Sequence, residues 1–93
     1  MVNALLTTSW ALSSDDELIN RVAARFVHEV DALAKAKGLF NRFVYLNYAN
    51  KTQNPIDGYG AVSKANLQAV SRKYDPKGLF QSGVPGGFKL FKR

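Results

Sequence analysis

The hydrophobic patterns of this 93-residue chain predict an α+β fold: strand, helix, strand, helix and an irregular tail, with an antiparallel sheet packed on two helices. Three observations predict it. Apolar residues recur at helical spacing over residues 19–34. Two short β-prone runs, residues 5–10 and 43–49, stand on either side of that pattern. A breaker-rich stretch, residues 50–58, separates the second run from another helical pattern. No repeat, low-complexity block or linker divides the chain, so residues 1–93 read as one small domain.

The first run is Leu5, Leu6, Thr7, Thr8, Ser9 and Trp10, closed by a serine turn at Ser13 and Ser14. The start is apolar enough to suggest a signal peptide. It lacks a basic leader, however, and Thr7, Thr8 and Ser9 interrupt the apolar stretch, which favours a strand. The helix after it opens with Ser14 placed as N-cap and Glu17 placed to complete a capping box. Asp15, Asp16 and Glu17 set negative charge at the positive end of the helix dipole. Its apolar stripe is Ile19, Val22, Ala23, Phe26, Val27, Val30, Leu33 and Ala34. His28 sits about half a turn away beside Arg21, Arg25 and Asp31, as expected of a solvated face. Lys35 and Lys37 suit the last turn, and Gly38 suits a left-handed cap.

The second run, residues 43–49, is dense in aromatic and β-branched side chains. Residues 50–58 read as loop. A second helix is expected over about residues 60–73, with Val62, Ala65, Leu67, Ala69, Val70 and Tyr74 supplying its apolar surface. It must stop before Pro76, which disfavours a helical Asp75. Glycines and Pro85 punctuate the remainder. Two strands give a narrow sheet with two open edges, so a second copy, a protein partner or a missing domain is expected to complete it.

Composition narrows the chemistry. The hydrophobic fraction of 46% and aromatic fraction of 12% supply material for a core. A chain this short still hides only roughly 60–65% of its unfolded surface. The absence of cysteine excludes disulfides, thiolate metal sites and cysteine nucleophiles. The lone histidine, His28, has no carboxylate cluster with which to hold a metal, so no metal is expected. No apolar run reaches the roughly 18 residues a membrane span requires. The net charge of +6 lies wholly in residues 51–93, while residues 1–50 are balanced. Such asymmetry occurs at nucleic-acid or membrane contacts, in solvated faces and in surfaces that meet an acidic neighbour; scattered lysines without a binding motif argue against nucleic acid. Asn50-Lys51-Thr52 matches the N-glycosylation pattern, which bears on the protein only if it enters a secretory pathway.

From Phe43 onward the residues become distinctive. They include Tyr45-Leu46-Asn47-Tyr48-Ala49, Gln53-Asn54-Pro55-Ile56 and Tyr59-Gly60. Next come the nine residues from Lys73 to Gln81 (K-Y-D-P-K-G-L-F-Q) and the five from Gly86 to Leu90 (G-G-F-K-L). This ordered set resembles the carboxy-terminal end of fungal FAD-linked oxidases of the berberine bridge enzyme-like family, flavoproteins of the PCMH/VAO type. Thr7-Thr8-Ser9-Trp10 followed by Asp15-Asp16-Glu17 resembles the strand and helix that precede it there. The resemblance covers nearly the whole chain.

What the resemblance implies is a truncated or detached domain. In that family an earlier part of the chain binds FAD, with a histidine, sometimes joined by a cysteine, attached to the flavin. Nothing around His28 resembles that attachment segment, so tight FAD binding by this chain alone is not expected. Three residues carry over. Asn47 matches an asparagine that hydrogen-bonds near the polar edge of the isoalloxazine ring, and an amide suits that task because it both donates and accepts. Tyr48 matches a tyrosine that serves as catalytic base in some members; a phenol is a weak acid, so that role needs neighbours that stabilise phenolate. Tyr45 matches an aromatic position lining the site. The competing reading is a strand whose tyrosines pack in a core or interface. Strand alternation poses a further difficulty, because it sets Tyr45 and Asn47 on one face and Tyr48 on the other.

Two functions therefore stand open. One is a piece of an FAD-dependent oxidoreductase, inactive as an oxidase alone; the complete enzyme would oxidise an organic substrate, with hydride transfer from it to FAD and reoxidation of the flavin by oxygen. The other is a non-enzymatic interaction module, a homo-oligomer or heteromer that reuses the old active-site strand.

Overall fold

A computed structural model describes residues 2–91. The element order is a 3-10 turn (Ser13–Asp15), helix α1 (Asp16–Ala36), a second 3-10 turn (Leu46–Tyr48), helices α2 (Pro55–Gly58) and α3 (Ala61–Tyr74), and one π turn (Leu79–Gly83). Among the described residues there is no β-strand, so the expected α+β class and its antiparallel sheet are overturned and the architecture is helix and coil. β-prone side chains fit a pleated surface, yet a strand forms only where a neighbour takes its backbone N–H and C=O groups. Residues 5–10 are coil, and the second run curls into the 3-10 turn at Leu46. The chain divides into two compact units between Asn41 and Arg42.

The first unit is built on α1. The capping box is not formed: Ser14 lies inside the 3-10 turn, and Asp15, the residue before the helix, makes no side-chain cap bond. The Asp16 carboxylate instead accepts the Trp10 indole N–H at 2.6 Å, which ties residues 5–10 to the helix start. The carboxy-terminal end behaves as its sequence predicts. Gly38 adopts φ +67°, its N–H bonds to Lys35 O at 3.1 Å, and the Leu39 N–H reaches Ala34 O at 2.8 Å. This pair of bonds is the Schellman motif, which satisfies carbonyls the last turn would leave open. The apolar stripe exists but is not covered: Val22, Phe26, Val30 and Leu33 are each about half exposed. His28 lies exposed, as expected.

The second unit closes around a small knot. Pro55 and Ile56 are buried, and the Phe43 and Tyr59 rings meet at 6.2 Å. Residues 50–58, expected as loop throughout, contain the one-turn α2. Asn54 caps it by accepting from the Asp57 N–H at 3.1 Å, and Pro55 sits where its missing N–H costs nothing. Helix α3 spans nearly the expected residues and stops one residue before Asp75. Gly60 precedes it at φ +92° and ψ 159°, a conformation reserved for glycine.

Beyond α3 the tail is held by side chains bonding to backbone. The two Asp75 carboxylate oxygens accept from the Leu79 and Phe80 N–H groups, each at 2.9 Å. Gln68 donates to Leu90 O at 2.7 Å, and the Gln81 side chain accepts the Leu90 N–H at 2.8 Å. Two glutamines thus do for Leu90 what a neighbouring strand would do.

Candidate functional site

The aromatic motif at residues 45–48 is the part of the second unit with chemistry to offer, and its backbone decides what that chemistry can be. Tyr45 is extended, with φ −70° and ψ 112°. The chain then tightens: Tyr48 N–H bonds to Tyr45 O at 3.1 Å and Ala49 N–H to Leu46 O at 3.3 Å. A 3-10 turn advances three residues per revolution, so side chains at i and i+3 come to the same side. Tyr45 and Tyr48 stand in that relation. Their rings pack edge to face, with centroids 5.1 Å apart and planes at 84°.

Asn47 joins the same cluster. Its Nδ2 donates to the Tyr45 hydroxyl oxygen at 2.9 Å. The structure therefore brings together all three residues singled out from the sequence, and it does so because the predicted strand ends in a turn. The alternation that would have parted Tyr48 from Asn47 does not operate there. Nothing in the sequence announced this turn beyond the conflict between strand alternation and a shared site.

The cluster is open. Tyr45 is 39% exposed and Tyr48 64% exposed. Asn47 spends one N–H on Tyr45, which leaves its carbonyl oxygen and second N–H for another group. The Tyr45 hydroxyl, having accepted that bond, can turn its own proton outward. These groups fit the polar edge of a flavin ring. They do not fit the adenine and pyrophosphate of FAD, for which a glycine-rich turn leading into a helix is the usual cradle. The one tail segment that resembles such a cradle, around Gly86 and Gly87, is otherwise engaged. Its Lys89 ammonium bonds to the Phe80 and Val84 carbonyl oxygens at 3.2 and 2.8 Å.

Two other places gather side chains or enclose space. A polar cluster missed from the sequence joins Asn54, Asp57 and Lys64: Asn54 and Lys64 each donate to the Asp57 carboxylate. It fastens α2 to the first turns of α3, and the pairing of Asn54 with Pro55 was its sequence signal. Groups of three or more potential metal ligands are absent among the described residues, where no helix is long and apolar enough to cross a membrane. In the first unit, residues 6–9 and α1 border a groove of about 460 Å³ with Ile19, Ala23 and Phe26 on its helix side. Its lining carries no acid, base or charged group.

No family profile and no solved structure matches the chain. Individual relatives do. An FAD-dependent monooxygenase of Emericella nidulans is 42% identical over 97% of this chain, which spans 19% of that protein. An FAD-dependent monooxygenase of Aspergillus calidoustus is 42% identical over 95% of the chain, spanning 17% of its length. A third relative, an oligopeptidase of Diaporthe leptostromiformis by name, is 42% identical over 97% of the chain but is spanned for only 8%. The chain is thus similar, from end to end, to less than a fifth of fungal FAD-dependent monooxygenases.

Proposed function

We propose that this chain acts as a piece of an FAD-dependent oxidoreductase, setting Tyr45, Asn47 and Tyr48 against the substrate side of the flavin, and that it does so only together with a flavin-binding remainder. The coarse part rests on the similarity to FAD-dependent monooxygenases over a small share of their length. The finer part, a berberine bridge enzyme-like site, rests on one observation: the 3-10 turn gathers the three residues carried over from that family into one cluster.

The roles follow from the groups. Asn47 offers an acceptor and a donor to the polar edge of a ring. Tyr45 holds the Asn47 amide in place through its hydroxyl and packs its ring against Tyr48. Tyr48, as phenolate, takes the proton that an organic substrate loses on oxidation. The chemistry that a bound flavin would supply is acceptance of the accompanying hydride, with oxygen as the final oxidant. Stabilisation of the phenolate falls to neighbours contributed by the rest of the protein.

The test is a chimera in which residues 1–93 replace the matching segment of the Emericella nidulans relative. Tyr48→Phe is expected to lower kcat by roughly 100-fold or more while flavin content stays unchanged, the loss typical of removing a general base. Asn47→Ala is expected to weaken flavin retention. Normal turnover by the Tyr48→Phe chimera would end the proposed role of that residue. The 93-residue chain alone, titrated with FAD and followed by flavin fluorescence, is expected to give no saturable change.

A further inference from the structure

The first unit carries more apolar surface than it uses. Val22, Phe26, Val30 and Leu33 follow one another at spacings of four, four and three residues, which sets them on one face of α1. They are 57%, 54%, 49% and 58% exposed. A groove of about 460 Å³ runs beside the first two, walled by residues 6–9. A helix that folds into a domain normally buries such a stripe. We infer that this stripe, with the groove beside it, is the surface on which the chain docks against the flavin-binding remainder of an FAD-dependent monooxygenase-type protein.

This inference rests on reading the chain as part of a flavoprotein. What favours the remainder over a second copy is area. A 21-residue helix is about 31 Å long. A face about 10 Å wide along it offers about 300 Å², whereas a standing complex between separate chains buries about 800 Å² per partner. A surface that small holds when the two sides belong to one chain, because tethering supplies the encounter without the cost of bimolecular association. The relatives provide that arrangement: the matching stretch is 19% of one and 17% of another, so most of each protein lies outside it. Charge does not choose between the two occupants. The described first unit holds four lysines and arginines against five acids, so apolar burial and not charge attraction drives the docking.

The chain has no cysteine, which allows a direct test. Phe26→Cys, on the stripe, and His28→Cys, on the exposed flank, are each made in the 93-residue chain and in the Emericella nidulans chimera. Labelling by a water-soluble thiol reagent is followed by mass spectrometry of the peptide concerned. The thiol at position 26 is expected to react freely in the isolated chain and about 100-fold more slowly in the chimera, as a site does once it is reached only by local opening. The thiol at position 28 is expected to react fast in both. Equal rates at position 26 would overturn the inference. Protection in the isolated chain, with a dimer by light scattering, would also overturn it and assign the stripe to a second copy. Protection in the chimera together with undiminished turnover by Tyr48→Phe would leave the docking surface standing and remove only the proposed role of Tyr48.

Discussion

The two units hold their shape by opposite means. The first is a long helix with good ends and an idle apolar stripe: Trp10 ties its start, Gly38 closes its finish, and Val22 to Leu33 face outward between them. The second has a shorter helix and a weaker pattern, yet it encloses Pro55 and Ile56 and fastens its tail with Asp75, Gln68 and Gln81. A helix can persist through local bonds and caps, but it gains a fixed place in a fold only by burial. The first unit therefore leaves its apolar stripe uncovered, whereas the second is a small structure with a centre of its own.

The largest effect that separates them is expected from Ile56→Ala. Ile56 is 6% exposed, so the truncation removes the main apolar contents of the second unit, a loss of about 2–4 kcal/mol for a buried isoleucine. Hydrogen exchange should show faster amides across residues 42–91 and little change in α1. Equal acceleration in both units would mean that they open together and would dissolve the distinction.

A smaller effect sharpens the same comparison through two glycines. At Gly60, φ +92° and ψ 159° is a region that other residues enter at about 1–3 kcal/mol. An added Cβ there would also stand 2.5 Å from the Arg42 guanidinium, which must move aside. At Gly38, φ is +67° and an added Cβ meets nothing within 4 Å, leaving only the left-handed penalty of about 1–2 kcal/mol. Gly60→Ala should thus lower the thermal midpoint more than Gly38→Ala. The reverse order would mean that the helix cap of the first unit matters more than the knot of the second.

The sequence displayed what is local and concealed what depends on neighbours. Helix α1 and its Gly38 end were legible because periodicity and a left-handed glycine need no partner to act. The start of α1 misled, because Trp10 competes for Asp16 from six residues away and no capping pattern records that. Residues 5–10 and 43–49 misled most. Their side chains suit a strand, but pairing belongs to two segments at once, and no second segment pairs with them among the described residues. The cluster of Tyr45, Asn47 and Tyr48 was legible as a set of residues and not as a shape, since its shape comes from the failure of that strand to continue.

The smallest expected effect tests how little the polar face of α1 contributes. Arg25 and Glu29 form the i,i+4 pair at 3.0 Å with side chains 79% and 64% exposed. Pairs of this kind contribute about 0.3–0.5 kcal/mol, and added salt screens them further. Arg25→Ala should therefore shift the helical circular dichroism of the 93-residue chain only slightly at low salt, and not at all at high salt. A loss above about 1 kcal/mol exceeds what an exposed pair supplies. It would mean that this flank, and not only the stripe of Val22, Phe26, Val30 and Leu33, meets something when the chain is folded. The docking surface would then have to extend around the helix.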